Sequence, residues 1–274
     1  MFYEFLRFLG YIALDILPLG AESHTILINY YFNYSSITNE IRILCLSSMG
    51  LGLFLYFIFD YYKIFKEFFK GLRLILIGRG TIKQVCTELR LLNMMISIIG
   101  VVIACYLSYE FLPDLSNNMY LVGAMLIVSG LTLRIPETFA HIKMDGRLFS
   151  YKEFFVFAFL QFLGALPGAS RMAILMGGGK FLGIEKKHLI KFTFLSLTPV
   201  IFIRLAYTVP AFGDISSVIE HNLIWMGALT LLTMIVTSIC VRVFSSVSFY
   251  KFYYYLIGIG AWTILDVLFG KRGL

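Results

Sequence analysis

Long stretches of this chain carry no formal charge. The runs 43–59, 91–109, 115–133, 154–170, 222–241 and 252–265 contain no Asp, Glu, Lys or Arg. Their lengths approach or reach the ~20 residues that an α-helix needs to cross a bilayer. Only 14% of the 274 residues are charged and 59% are hydrophobic, whereas about a quarter of an average soluble domain is charged. The chain therefore reads as one integral membrane domain over residues 1–274, with no soluble unit long enough to fold alone. Its 23 Lys+Arg exceed its 16 Asp+Glu, but the cations gather between apolar runs, as in cytoplasmic loops. That pattern points to a membrane and away from nucleic acid. Cys45, Cys86, Cys105 and Cys240 have no metal or redox spacing and read as small packing residues. No cleavable signal is read at the start, where Glu4, Arg7 and Asp15 interrupt the apolar character.

Six full spans are expected at about 43–60, 91–110, 118–134, 190–210, 222–242 and 250–269. Two further apolar regions, 5–33 and 152–184, are broken by Leu17-Pro18 and Leu166-Pro167. Both read as re-entrant helix–turn–helix hairpins, because hydrocarbon tolerates broken backbone only where protein or a cavity surrounds it. Basic residues place 61–90 (Lys63 to Arg90) and 134–153 in the cytoplasm, and cation-free 113–118 and 210–221 outside. Lys271-Arg272 then lies outside, against the rule. The expected fold is all-α: six transmembrane helices plus two re-entrant hairpins in an inverted repeat. Repeat 1 covers about 1–135 and repeat 2 about 150–270, with the two tips meeting near the midplane. Segment 61–90, aromatic and basic, reads as an interfacial helix or as a solvated loop.

The tips concentrate the polar chemistry. Pro167-Gly168-Ala169-Ser170 reads as a turn into a helix start, with Ser170 as N-cap and free N–H groups for an anion. Arg171 would sit in the first turn, where its planar fork suits phosphate oxygens. Gly177-Gly178-Gly179 allows close packing. The first tip supplies Asp15, Glu22, Ser23 and His24. His24 is a candidate nucleophile or proton shuttle, and Asp15 a candidate for orienting it or holding a divalent ion. An acid, a base and a cation walled by apolar helices suit a lipid with a phosphate or diphosphate head.

These residues resemble the bacterial undecaprenyl-diphosphate phosphatase family of the bacitracin-resistance type. Its first hairpin reads Glu-Gly-x-Thr-Glu-Phe-Leu-Pro-x-Ser-Ser-Thr-Gly-His, and its second Pro-Gly-x-Ser-Arg-Ser-Gly-x-Thr, followed by a Gly-rich stretch and Phe-Ser-Phe-Leu-x-x-x-Pro. Here Asp15, Leu17-Pro18 and His24 keep the spacing of the first. Pro167-Gly168-Ala169-Ser170-Arg171 matches the second without a gap, and Phe192-Thr193-Phe194-Leu195 with Pro199 follows. The resemblance covers essentially the whole chain. The departures lie mostly in the first hairpin. One family glutamate falls on Tyr11, Asp15 replaces another, and Ser-Ser-Thr-Gly becomes Gly20-Ala21-Glu22-Ser23. Met172, Ala173 and Leu175 replace small or polar residues after the arginine.

The resemblance implies hydrolysis of a polyprenyl diphosphate to the monophosphate, with a divalent cation (Mg or Ca) and an outward-facing site in the inner bacterial membrane. It leaves room for a homodimer. On this reading Arg171, Ser170 and Gly168 hold the phosphates. His24 is nucleophile or general base, and Ser170 the competing nucleophile. Asp15 and Glu22 bind the metal or orient His24. Two other functions stay open: a polyprenyl-phosphate carrier or flippase, and a catalytically silent relative that binds prenyl phosphates. Arg204, outside the family pattern, falls inside the fourth span. It reads either as a snorkelling side chain or as a replacement cation for the lipid phosphate.

Overall fold

A computed structural model describes residues 2–32, 38–78, 90–138, 150, 152–211, 220, 222–246 and 251–270. The expectations for Cys86 and Lys271-Arg272, and for the parts of segments 61–90, 134–153 and 210–221 that are not included, lie outside these residues. The described chain is helical apart from its turns: α1 Phe2–Ile16, α2 Ala21–Phe32, α3 Asn39–Tyr56, α4 Ile58–Leu76, α5 Arg90–Phe111, α6 Met119–Thr138, α7 Glu153–Gly164, α8 Arg171–Phe181, α9 Lys186–Thr208, α10 Leu223–Ser246 and α11 Phe252–Phe269. By length and apolar composition α6, α9, α10, α11 and Leu92–Phe111 of α5 can each cross a bilayer, and α3 with α4 forms a sixth candidate bent by 69°. The protein is a multi-pass membrane protein.

Both broken segments are helix–turn–helix hairpins. In the first, α1 stops just before Pro18, and Gly20 (φ +85°) turns the chain into α2. Gly20 N–H closes that turn on Leu14 O at 3.0 Å. In the second, α7 ends at Gly164 and Pro167-Gly168 turns into α8. Gly168 sits at φ +90°, and a Cβ there would lie 2.3 Å from Val122 O of α6. Glycine is demanded twice over, by backbone conformation and by space. The tips touch: a Cβ on Gly20 would lie 3.3 Å from Ala169 O, and Ser23 Oγ donates to Ala169 O at 3.4 Å.

The spans hold the tips in place. The most extensive packing joins α6 to α11, with α5 on α7, α10 on α3, α9 on α3 and α6 on α8 next. At the α6–α11 crossing, Gly123 and Gly260 face one another so closely that a Cβ on either would meet the other's carbonyl within 3 Å. Small residues at such crossings give membrane helices the close approach that drives their association. Cys45, Cys105 and Cys240 are free thiols buried among these helices.

Ile58–Leu76 is a helix, so the described part of segment 61–90 is not a solvated loop over 61–76. The bend puts α4 across the end of α3, where Asp60 pairs with Lys191 at 2.6 Å and Tyr61 OH donates to Leu195 O at 2.6 Å. Its outer face shows Phe59, Tyr62, Phe65 and Phe69 beside lysines, a mixture suited to the membrane interface.

The tip geometry makes a prediction. Gly168→Ala introduces both the backbone clash with Val122 and a φ that costs about 1–3 kcal/mol. It should lower the thermal midpoint in detergent clearly. Gly227→Ala, in α10 with nothing within 4 Å of the added carbon, should not. Equal midpoints for the two variants would contradict the tip geometry.

Candidate active site

Four charged side chains from four helices converge where the tips meet. Asp15 comes from the end of α1, Glu22 from the first turn of α2, Arg171 from the first residue of α8 and Arg204 from α9. Arg204 Nη1 donates to Asp15 Oδ2 at 2.5 Å, and its Nη2 donates to Glu22 Oε1 at 3.0 Å and to Tyr11 OH at 3.1 Å. Arg171 Nη2 donates to Glu22 Oε2 at 3.0 Å. One carboxylate thus holds two guanidiniums, one per oxygen, and so ties the first hairpin to the second and to α9. Tyr11 and Asp15 are one helical turn apart, so both face Arg204.

Burial makes these contacts matter. Arg204 is 2% exposed, Asp15 8% and Arg171 8%. Charges inside a membrane domain are costly unless paired, and the pairing here is nearly complete. Arg204 therefore does not snorkel; the expectation of an end reaching for water is corrected. Five residues beyond Pro199, its side chain points inward because Asp15, Glu22 and Tyr11 lie there. Glu22 is the half-open member, with 35% of its side chain exposed.

The helix start around Arg171 is built as its sequence suggests. Ser170 is the N-cap of α8, extended (φ −96°, ψ 104°), and its Oγ accepts from Ala173 N at 3.4 Å. Its own N–H donates to Ser129 Oγ of α6 at 2.9 Å. Ser170 and Ser23 are fully buried. Gly168 lies at the turn, against α6 rather than against the charges.

His24 sits elsewhere. Two residues beyond Glu22 on α2, it faces α11. Its Nδ1 lies 2.8 Å from Gly20 O and its Nε2 2.7 Å from Tyr255 OH, with the two rings stacked at 5.6 Å. A carbonyl only accepts, so Nδ1 carries the hydrogen, and the neutral ring's Nε2 accepts from the tyrosine hydroxyl. Among the described residues no hydrogen bond or ion pair joins His24 to Asp15, Ser170, Arg171 or Arg204. The expected pairing of Asp15 with His24 is corrected: Asp15 spends its carboxylate on Arg204. His24 instead lines an apolar cleft of about 540 Å³ with Leu27, Tyr255 and Trp262.

Two spaces adjoin the charges. Between the tips, a cavity of about 10 Å³ touches Asp15, Glu22, Ser170 and Arg171. It is about the size of one water. The larger space is a polar cleft of about 500 Å³ that runs from Asp114 and Ser116 of the α5–α6 turn, past Arg42 and Tyr109, to Glu22 and Arg171. A diphosphate fits only the cleft. Arg171 Nε, Arg204 Nε and Arg42 Nε are buried with no hydrogen-bond partner, and of these residues Arg171 and Arg42 line the cleft.

A divalent cation does not fit the residues present. Calcium takes 6–8 oxygen ligands. Here Asp15 and Glu22 are each bound to guanidinium, and Tyr11 offers only a neutral hydroxyl. Among the described residues, no three or more His, Cys, Asp or Glu side chains group as metal ligands do. Sequence reasoning missed Tyr11 as a site residue, Arg42, Ser129 and Tyr255. For Tyr11 a signal existed in its four-residue spacing from Asp15; for Arg42, in its position at the edge of an uncharged run.

Fold and site together define a class: a polytopic membrane protein in which two opposed hairpins enclose an arginine–carboxylate cluster at the end of a polar cleft. A family model, the bacitracin resistance protein BacA, matches residues 13–262, and the chain belongs to that family. Curated relatives carry the name undecaprenyl-diphosphatase. One from Leptospira biflexa is 24% identical over 272 residues, covering 95% of this chain and 96% of that protein. One from Borreliella burgdorferi is 28% identical over 263 residues, 93% and 92%. One from Tropheryma whipplei is 28% identical over 178 residues, 62% of this chain and 63% of that protein, so that match spans just under two thirds of the relative.

The buried pairs predict a stability effect. Arg204→Met leaves Asp15 buried without its cation, and breaking a buried pair from one side costs about 3–5 kcal/mol. The variant should unfold at distinctly lower denaturant in mixed micelles. A wild-type midpoint would mean that Arg204 does not hold the tips.

Proposed function

We propose that the chain hydrolyses undecaprenyl diphosphate to the monophosphate and inorganic phosphate, in the inner membrane of a bacterium with the cleft facing outward. Family membership and the relatives' names support this reading. The observation that carries it is the pair of buried arginines on one carboxylate at the end of a polar cleft inside an apolar helix bundle. Such a constellation suits a lipid whose only polar part is a diphosphate. The opposed order of the two halves, each a hairpin followed by its spans, supports an inverted repeat. Pairings such as α3 with α10 and α5 with α9 exchange when the halves are swapped.

The residues divide the work as follows. The diphosphate enters through the cleft, and its oxygens compete with Glu22 for Arg171 and Arg204, whose charge stabilises the transferring phosphoryl group. The N–H groups at the start of α8 lie on the same side as Arg171. Glu22, released from the arginines, accepts a proton from water. The water oxygen bonds to the terminal phosphorus, and the bond from that phosphorus to the bridging oxygen breaks. The electron pair stays on the lipid phosphate. Asp15 and Tyr11 position Arg204. Ser170 caps the helix that presents Arg171, and His24 anchors α2 to α11.

A second reading, lipid-phosphate binding without turnover, draws on one observation: Ser23 and Ser170 hydroxyls are both buried and engaged with backbone, and Ala21 stands in the family's serine run. Phosphate release from a prenyl diphosphate in detergent separates the two. Arg171→Ala should lose about 10²–10³ in rate, and Glu22→Gln about 10²–10⁴ while still binding lipid. Turnover lost in His24→Ala but kept in Glu22→Gln would contradict the division of roles. No release by the wild type, with lipid bound, would favour the second reading.

A further inference from the structure

We infer that Arg204 takes the place of a divalent cation, so that this chain binds its diphosphate without metal. The inference rests on reading the cleft as a diphosphate site. It starts from charge. Against the family pattern quoted above, Tyr11 stands at a glutamate position and Glu22 at a threonine position, so the tip keeps two carboxylates, and Arg204 supplies the positive charge between them. Arg204 also touches the substituted position: its Nη2 donates to Tyr11 OH at 3.1 Å.

The geometry agrees. Arg204 Nη1 lies 2.5 Å from Asp15 Oδ2 and Nη2 lies 3.0 Å from Glu22 Oε1. The guanidinium thus occupies the position between the carboxylates that a shared ion would need. The opposite oxygen of Glu22 is held by Arg171. As it stands the cluster is neutral, with two carboxylates and two guanidiniums. A divalent ion entering it would meet two arginines and would have to strip both carboxylates from them. Arginine suits the substitution because it is always charged and presents a rigid fork of donors to phosphate oxygens. Arg204 lines neither the small cavity nor the cleft, so a diphosphate meets its fork by displacing Glu22, which lines both.

The test uses the full-length protein in detergent, with farnesyl diphosphate as the probe. Binding is measured by titration calorimetry after EDTA treatment and again in millimolar CaCl2. We expect the same affinity in both, and no change of thermal midpoint when Ca²⁺ is added without lipid. Arg204→Gln should weaken binding by at least about tenfold, and Arg204→Lys, which keeps the charge, should recover part of it. A folded Arg204→Gln protein with unchanged affinity in EDTA would overturn the inference. So would wild-type binding that vanishes in EDTA and returns with Ca²⁺, which would leave the diphosphate reading intact. Failure to bind farnesyl diphosphate in either condition would overturn the diphosphate reading itself, and the inference with it.

Discussion

Glu22 is the joint on which the site depends. Its two oxygens hold Arg171 at 3.0 Å and Arg204 at 3.0 Å, and these arginines begin α8 and line α9. In an apolar bundle two like charges so close would repel strongly, because the surroundings screen them little. The carboxylate between them makes the arrangement possible. Asp15 completes the compensation from α1, and Tyr11 accepts a further hydrogen bond from Arg204 Nη2 without adding charge. On the proposed function, the pairs that stabilise the closed tips are also those that an incoming diphosphate exchanges, so that stability and binding draw on the same contacts.

The two hairpins exist because of this need. A continuous span can carry a paired charge, as α9 does with Arg204, but it offers no helix start at mid-bundle. A broken segment brings helix starts and polar side chains to mid-bundle, where other helices cover the opened backbone. Gly20 and Gly168, both at positive φ, set the turns. The N–H of Ser170 is met by Ser129 of α6, and Val122 of the same helix presses on Gly168. The backbone of the two tips is thus set by packing, while the arginines themselves are held by Glu22.

Much of this was legible in the sequence. Uncharged runs of nearly twenty residues predict the helices, since length and hydropathy are the membrane's own criteria. Pro18 and Pro167 mark the turns because each has a glycine at positive φ close behind it, whereas Pro136 and Pro199 sit inside α6 and α9. Ser170-Arg171 gives the N-cap and the cation by local rules alone. Direction was harder. Arg204 and His24 can each be placed at a depth and on a helix, but the side facing the site depends on partners remote in sequence: Asp15 is 189 residues from Arg204, and Tyr255 is 231 from His24. The local grouping of Asp15, Glu22 and His24 suggested one cluster. The helix periodicity of α2 instead sends Glu22 and His24 to different faces. The bend between α3 and α4, without a proline, also left the end of the first span unmarked.

The claim that one carboxylate joins the hairpins is most directly tested by a double-mutant cycle on Glu22 and Arg171. Unfolding of wild type, Glu22→Gln, Arg171→Met and the double variant would be followed in mixed micelles. The account predicts a coupling of about 1–3 kcal/mol, with the double variant less damaged than the single changes together imply. Strictly additive losses would mean that the two tips are held by their packing alone, and would contradict it.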